Sequence, residues 1–288
     1  CGSKEMVSDM KKKISVHEHT FPIEKIIKKL TKEDNPMNTE IETQNILGGV
    51  HHVTAITSSA QKNYDFFTNI LGLRLAKLTV NQDDYETYHL YFTGEDGKSP
   101  NMTFFDFKDI PKGMHGANNI ERASFRVPSD ASLTYWTERF EKAHVNHGDI
   151  NVKFGKKTLE FEDFDGQKYQ LISDQDNTGD AALDRSWLLS NVAPEHGIVG
   201  MGPVFVKVTD TYNLRIILET VFGFRYAGQE NNLHLFEVAN GGNGAALIIE
   251  EAQENERYAY QGYGTIHHLA LGTTTPETLN YWIERIQA

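Results

Sequence analysis

Two short segments, GGVHHVTAIT at 48–57 and YGTIHHLALGT at 263–273, are near-copies at opposite ends of the chain. Each carries a glycine, a β-branched residue, an adjacent histidine pair and an apolar run, and each precedes a helix-like stretch. With 12 histidines in 288 residues, chance alone gives about half an adjacent pair. Two pairs in matching contexts therefore indicate an internal repeat, and a repeat constrains architecture more than any other single feature.

From Leu47 onward the chain reads as four units, each in the order strand, helix, three strands. The first has a strand at 50–57 and an amphipathic helix at 60–70, with Tyr64, Phe66, Phe67 and Ile70 apolar. Gly72 ends that helix, and the strands LGLRLAKLTV, YETYHLYF and NMTFFDF follow. The second has ERASFRV, the helix LTYWTERFEKAHV, then TLEFED and KYQLISD around the turn DFDG. The third has GPVFVKV, the helix-like YNLRIILETVFGFRYAG, NLHLFEV, the hairpin turn NGGNG and AALIIEE. The fourth has TIHHLALGT and the helix PETLNYWIERIQ, where the sequence stops. One βαβββ sheet has one apolar face and exposed edges, so units should pair into a cup. The expected class is α+β, with tandem βαβββ modules forming cupped, barrel-like mixed sheets and a truncated fourth module. Taken in chain order, the expected divisions are a basic polar extension at 1–45, a first two-module domain at 46–178, a linker at 179–195 rich in Asp, Asn and Gly, and a second domain at 196–288.

The extension contains an amphipathic stretch with Ile23, Ile26, Ile27 and Leu30 on one helical face. Its His17-Glu18-His19 triplet reads as solvated. Cys1 is the single cysteine, so neither an internal disulfide nor a Cys-based zinc site is available, which fits a reducing, cytoplasmic location. No apolar signal segment follows Cys1, so this end reads as clipped and not lipid-modified. A net charge of −12 argues against sequence-independent nucleic-acid binding. No run of 18 apolar residues is present to form a membrane helix.

Imidazole is the commonest protein ligand for a transition metal, so a site is expected where the first and fourth units meet. Strand alternation sends neighbouring side chains to opposite faces, so each pair should supply one ligand. At the His52 position the second unit has Arg122 and the third the Met201-Gly202 region, neither an imidazole. Thr103 and Phe105, on the last strand of the first unit, should face the cup and are poor ligands. His89 reads as a pocket-lining residue or as one hydrogen-bonded within the sheet.

The run HHVTAITSSAQKNYDFFTNILGLRLAKLTVNQDDYETYHLYF, the PEHGI segment at 194–198 and GTIHHLAL together resemble the glyoxalase/bleomycin-resistance/dioxygenase (vicinal oxygen chelate) superfamily, and within it the ring-cleaving dioxygenases of the hydroquinone type. The resemblance covers residues 47–288. It implies a mononuclear Fe(II) site, or Mn(II) in some relatives, with His52 and His268 as metal ligands. The third ligand is implied to be a Glu from the last strand of the fourth unit, beyond residue 288, so the chain as given is expected to bind iron poorly and to be inactive. His51, His267 and Thr54 match supporting positions, with His51 and His267 as acid–base candidates that alternation would turn away from the ligands.

The implied activity is cleavage of a hydroquinone- or catechol-like ring with O2. A 2-His-1-carboxylate face leaves open metal positions for substrate and O2. A homo-oligomer is compatible with the sequence. Two other classes fit it as well: a glyoxalase-type metal-dependent lyase or isomerase, and a non-catalytic binding module for an aromatic compound.

Overall fold

The computed structural model describes residues 41–81, 85–97, 101–182 and 184–287. The amphipathic stretch at 23–30 and the His17-Glu18-His19 triplet lie outside them. The first unit comprises β1 (Val50–Ile56), α1 (Ala60–Asp65), β2 (Arg74–Val80), β3 (Tyr88–Thr93) and β4 (Asn101–Asp106). The second comprises β5 (Asn119–Val127), α2 (Asp130–Ala143), β6 (His147–Lys153), β7 (Lys156–Glu162) and β8 (Lys168–Ser173). A short β9 (Gly200–Met201) precedes the third unit: β10 (Val204–Val208), α3 (Thr211–Thr220), β11 (Arg225–Glu230), β12 (Leu233–Glu237) and β13 (Ala246–Glu251). The fourth contributes β14 (Thr265–Leu271) and α4 (Pro276–Gln287).

Local chemistry sets the helix ends. The Ser59 hydroxyl accepts from the Lys62 amide, and the Ala60 amide donates to Asp106, so both side chains satisfy amides at the start of α1. After Asp65 the helix continues as a π turn, Phe66–Ile70, closed by the Leu71 amide on the Phe66 carbonyl. The expected third helix is shorter than the apolar pattern suggested. It stops at Thr220, and Gly223 at φ +71° turns the chain into β11 at Arg225.

Sheet pairing does not follow chain order. One five-stranded sheet runs β14-β1-β4-β3-β2, uniting the fourth unit with the first. The other runs β11-β12-β13-β10-β5-β8-β7-β6, with β9 beside β5, uniting the third unit with the second. The grouping 46–178 and 196–288 is thus not the grouping of the sheets. Residues of the intervening segment are hydrogen-bonded to the first unit and to α2. Asp184 accepts from the Thr93 hydroxyl and from the Gly94, Asp96 and Arg185 amides. Arg139 of α2 holds the Asn191 side chain and the carbonyls of Asn69 and Ile70.

The sheets pack through their helix-bearing faces. Phe67, fully buried, lies 4.8 Å from Phe92 and 4.7 Å from Phe104 in its own unit, and 6.0 Å from Tyr169 of the second. Trp136 and Phe140 of α2 are equally buried, and the Trp136 indole donates to the His196 carbonyl. Burying one such side chain stabilises the fold by about 1.5–3 kcal/mol. The opposite face of the first sheet is left concave and polar.

A polar clamp ties the two cups together. Asp165, in the DFDG turn of the second unit, accepts from the Thr57 hydroxyl, the Ser58 amide (both 2.9 Å) and the Ser58 hydroxyl, all just after β1. Among the described residues no helix is long and apolar enough to cross a membrane. Replacing Asp165 by Ala leaves the Ser58 amide without its partner and the buried Thr57 hydroxyl with only its longer bonds to the Ser59 backbone, and is expected to cost about 1–3 kcal/mol. Urea unfolding would show a lower midpoint with an unchanged slope; an unchanged midpoint would rule the clamp out as a source of stability.

Candidate metal centre

The centre begins with two glycines. Gly49 and Gly264 precede the two histidine strands and have φ of +83° and +81°, a region open to glycine. A β-carbon on Gly49 would sit 2.6 Å from the Gly244 carbonyl oxygen, and one on Gly264 would sit 2.5 Å from the Asp165 carbonyl oxygen. These close approaches seat β1 and β14 side by side, antiparallel, with Thr54 opposite His268 and His52 opposite Ala270.

The pairing is interrupted twice. The register jumps between Val50 and His52, passing over His51, and opposite the step from Thr54 to Ala55 it passes over His267. These are β-bulges, which insert an unpaired residue and re-aim side chains. Strict alternation would send His51 and His267 away from their neighbours, and that expectation is corrected here. The Nδ1 atoms of His51 and His52 are 2.9 Å apart, and those of His267 and His268 are 2.8 Å apart. His267 also packs its ring edge-on to Phe105 of the cup, at 5.5 Å. Sequence alternation could not reveal this, because it assumes an unbroken ladder.

The second histidines converge. His52 Nε2 and His268 Nε2 are 3.2 Å apart although 216 residues separate them in the chain. Burial, followed by the charge of neighbouring imidazoles, lowers both pKa values to about 4, so both rings are neutral near pH 7 and can offer lone pairs. A separation of 3.2 Å is what two nitrogens on adjacent positions of one ion require when each metal–nitrogen bond is about 2.1 Å. The donor pair therefore fits a metal. Among the described residues no group of three His, Cys, Asp or Glu side chains converges.

A hydroxyl row continues from the ligands across the sheet. Thr54 Oγ1 lies 2.9 Å from His268 Nε2 and 2.7 Å from Thr103 Oγ1, and both threonines are buried. Thr103 Oγ1 lies 3.0 Å from His89 Nε2, and His89 Nδ1 lies 2.9 Å from the Tyr91 hydroxyl. His89 thus lines the cup and is also hydrogen-bonded within the sheet, and burial lowers its pKa to about 4. Thr103, Tyr91 and Phe105 share this face; Phe105 packs against the His89 ring at 4.3 Å. Tyr91 was not singled out from the sequence, although YHLYF places it two residues from His89 and therefore on the same face. Thr54→Val keeps the side-chain shape and removes the hydroxyl shared by Thr103 and His268. It is expected to lower stability by about 1–3 kcal/mol, read as a drop in the urea midpoint; no drop would mean that the hydroxyl is idle.

Comparison with known proteins places this geometry. The profile of the Glyoxalase/Bleomycin resistance protein/Dioxygenase superfamily matches residues 49–171. The chain is 33% identical over 243 residues to "Putative ring-cleaving dioxygenase MhqA" of Bacillus subtilis (strain 168), covering 82% of this chain and 75% of that protein. It is 29% identical to the "Chlorohydroquinone/hydroquinone 1,2-dioxygenase" of Sphingobium indicum, covering 77% and 69%. Among solved structures it resembles a "putative dioxygenase" from Bacillus subtilis subsp. subtilis str. 168, with a TM-score of 0.74, 29% identity, and 84% and 75% of the two chains covered. With the repeat, the cup and these relatives in agreement, the chain belongs to the glyoxalase/bleomycin resistance protein/dioxygenase superfamily.

Proposed function

We propose that the intact protein is a non-haem Fe(II)-dependent, extradiol-type dioxygenase, with Mn(II) as the alternative metal, that opens hydroquinone- or catechol-like rings with O2. The observation that carries this reading is the approach of His52 Nε2 and His268 Nε2 to 3.2 Å in a cup walled by Phe105, His89 and Tyr91. When bound, the metal would supply open positions for a substrate oxygen and O2 and a path for electrons from the ring to O2.

The protein's own part follows from proton bookkeeping. If His52 and His268 give Nε2 to the metal, their protons reside on Nδ1, and each Nδ1–H donates to the Nδ1 of the preceding histidine. His51 and His267 must then accept at Nδ1 and carry their own proton on Nε2. Each ligand ring is fixed in orientation and tautomer by its bulged neighbour. The same neighbours can give up or take a proton beside the substrate. Thr54 stands next to the ligands and meets the His268 Nε2 lone pair until a metal takes it. The aromatic wall binds the ring by offset and edge contacts.

The third ligand is assigned to a Glu on the last strand of the fourth unit. In each earlier unit the first strand pairs parallel with the last, as β1 with β4, β5 with β8 and β10 with β13. The corresponding strand would lie beside β14, on its edge away from β1, with its Glu beyond residue 288.

In the full-length, Fe(II)-loaded protein, hydroquinone or catechol should drive oxygen uptake. His52→Ala and His268→Ala should each lower bound iron by more than tenfold. Metal-dependent turnover without oxygen uptake would favour a lyase or isomerase, and failure to hold any metal would favour a binding module. The pH dependence has a definite sign. Protons compete for a ligand lone pair only below its pKa, so with values near 4 metal affinity should stay level from pH 7 to about 5 and fall as pH approaches 4. A fall beginning near 6.5, as for solvated histidines, would contradict the buried pair.

A further inference from the structure

The hydroxyl row ends on Tyr91, a residue the proposed chemistry has not used. Its members are His268 Nε2, Thr54 Oγ1, Thr103 Oγ1, His89 and the Tyr91 hydroxyl, linked at 2.9, 2.7, 3.0 and 2.9 Å. Thr54 lies opposite His268 on β14 and beside Thr103 on β4, and Thr103 lies opposite Tyr91 on β3. Thr54, Thr103, His89 and Tyr91 each have one hydrogen to give along the row, and His89 is neutral near pH 7. Two hydrogen-bond directions therefore satisfy the three links from Thr54 to Tyr91.

In the first direction Tyr91 donates to His89 Nδ1, His89 Nε2–H to Thr103, Thr103 to Thr54, and Thr54 to the lone pair of His268 Nε2. In the second the donors of the three links between Thr54 and Tyr91 reverse, and Thr54 no longer gives to His268. Thr54 gives to Thr103, Thr103 to His89 Nε2, and His89 Nδ1–H to the Tyr91 oxygen. The Tyr91 hydrogen is then released from the row. A metal on His268 Nε2 occupies the lone pair that the first direction needs. Metal loading therefore selects the second direction, and Tyr91 becomes a donor into the cup.

We propose that Tyr91, turned by metal occupancy through Thr54, Thr103 and His89, is the specificity-determining residue that holds the substrate oxygen remote from the metal, selecting rings that carry oxygens on opposite carbons. The inference rests on the metal-dependent reading above. Tyr91 is half-buried, with the Lys77 ammonium 5.3 Å above its ring and the His89 ring 4.1 Å away, so its orientation is held while its edge stays open to the cup. Backbones β1 and β3 stand about 10 Å apart. That is the scale of a metal–oxygen bond, a ring with para oxygens and a hydrogen bond laid end to end. A ring with adjacent oxygens places both near the metal and offers Tyr91 a C–H.

The test uses the full-length protein loaded with Zn(II), which does not turn over. Calorimetry would compare hydroquinone with phenol, which lacks the second hydroxyl, in the wild type and in Tyr91→Phe. Loss of the reading contact should weaken hydroquinone by roughly fivefold to tenfold and leave phenol unchanged. Equal weakening of both, or of neither, overturns the proposal and leaves the metal-site reading standing. If neither compound binds better with Zn(II) than without, both readings fall. As a readout independent of affinity, 15N NMR of His89 should show its proton on Nε2 in the metal-free protein and on Nδ1 after Zn(II) is added. A tautomer that does not change overturns the coupling.

Discussion

The pairing of β1 with β14 is the contact on which the rest of the site depends. It closes a loop of more than two hundred residues, and it is the seam that unites the first and fourth units in one sheet. Without it His52 and His268 would have no common location. Closing so long a loop is costly in chain entropy, although the cost grows only logarithmically with length. The second and third units supply the support. Their sheet packs against the first through Phe67 and Tyr169, and Asp165 fastens their turn to the end of β1. The Gly244 carbonyl accepts from the Val50 amide at the start of that strand.

Much of this was readable from residue order, for physical reasons. A repeat of strand, helix and three strands shows itself through period, and the Gly before each histidine pair marks the same left-handed entry in both copies. The second histidine of each pair could be assigned from repeat equivalence. What could not be read is the register of the long-range pairing. That the first unit meets the fourth was legible only through the two histidine pairs, since chain neighbours are otherwise the natural partners. Nor does composition reveal the two bulges, because a bulge exists only relative to the opposite strand. Alternation alone therefore cannot place His51 and His267 beside His52 and His268. His89 and Tyr91 share a face by simple alternation, but their link to His268 runs through threonines on two other strands.

The second sheet shows the same device carrying different chemistry. Where β5 meets β10, Phe205 pairs with Arg122 and Val206 with Ile120, so the register passes over Glu121. Glu121-Arg122 thus stands where His51-His52 stands in the first unit, bulge included. Here the groups are charged and close on one another. Arg122 pairs with Glu160 at 2.8 Å and lies 4.8 Å over the Phe205 ring, while Lys153 reaches Glu160 and Gln170. Burial pushes the Glu121 carboxyl up, but hydrogen bonds from His115 and Lys168 hold it down at about 2. The charged groups of this cup are paired with one another, with the buried Arg122 Nε left without a hydrogen-bond partner.

The contrast explains why imidazole suits the first cup. A buried charge persists only when it is paired, and a paired charge is already spent on its partner. A neutral imidazole can be desolvated at modest cost, and it keeps a lone pair that the protein need not fill. Burial lowers His52, His268 and His89 together to about 4, which keeps these three rings uncharged near pH 7. The ligand lone pairs are met by weak partners, a second imidazole and a threonine hydroxyl, which a metal can displace without breaking an ion pair. The frame is thus one repeat used twice: ion pairs engage the charges of the second cup, and neutral donors leave the first one able to receive a cation.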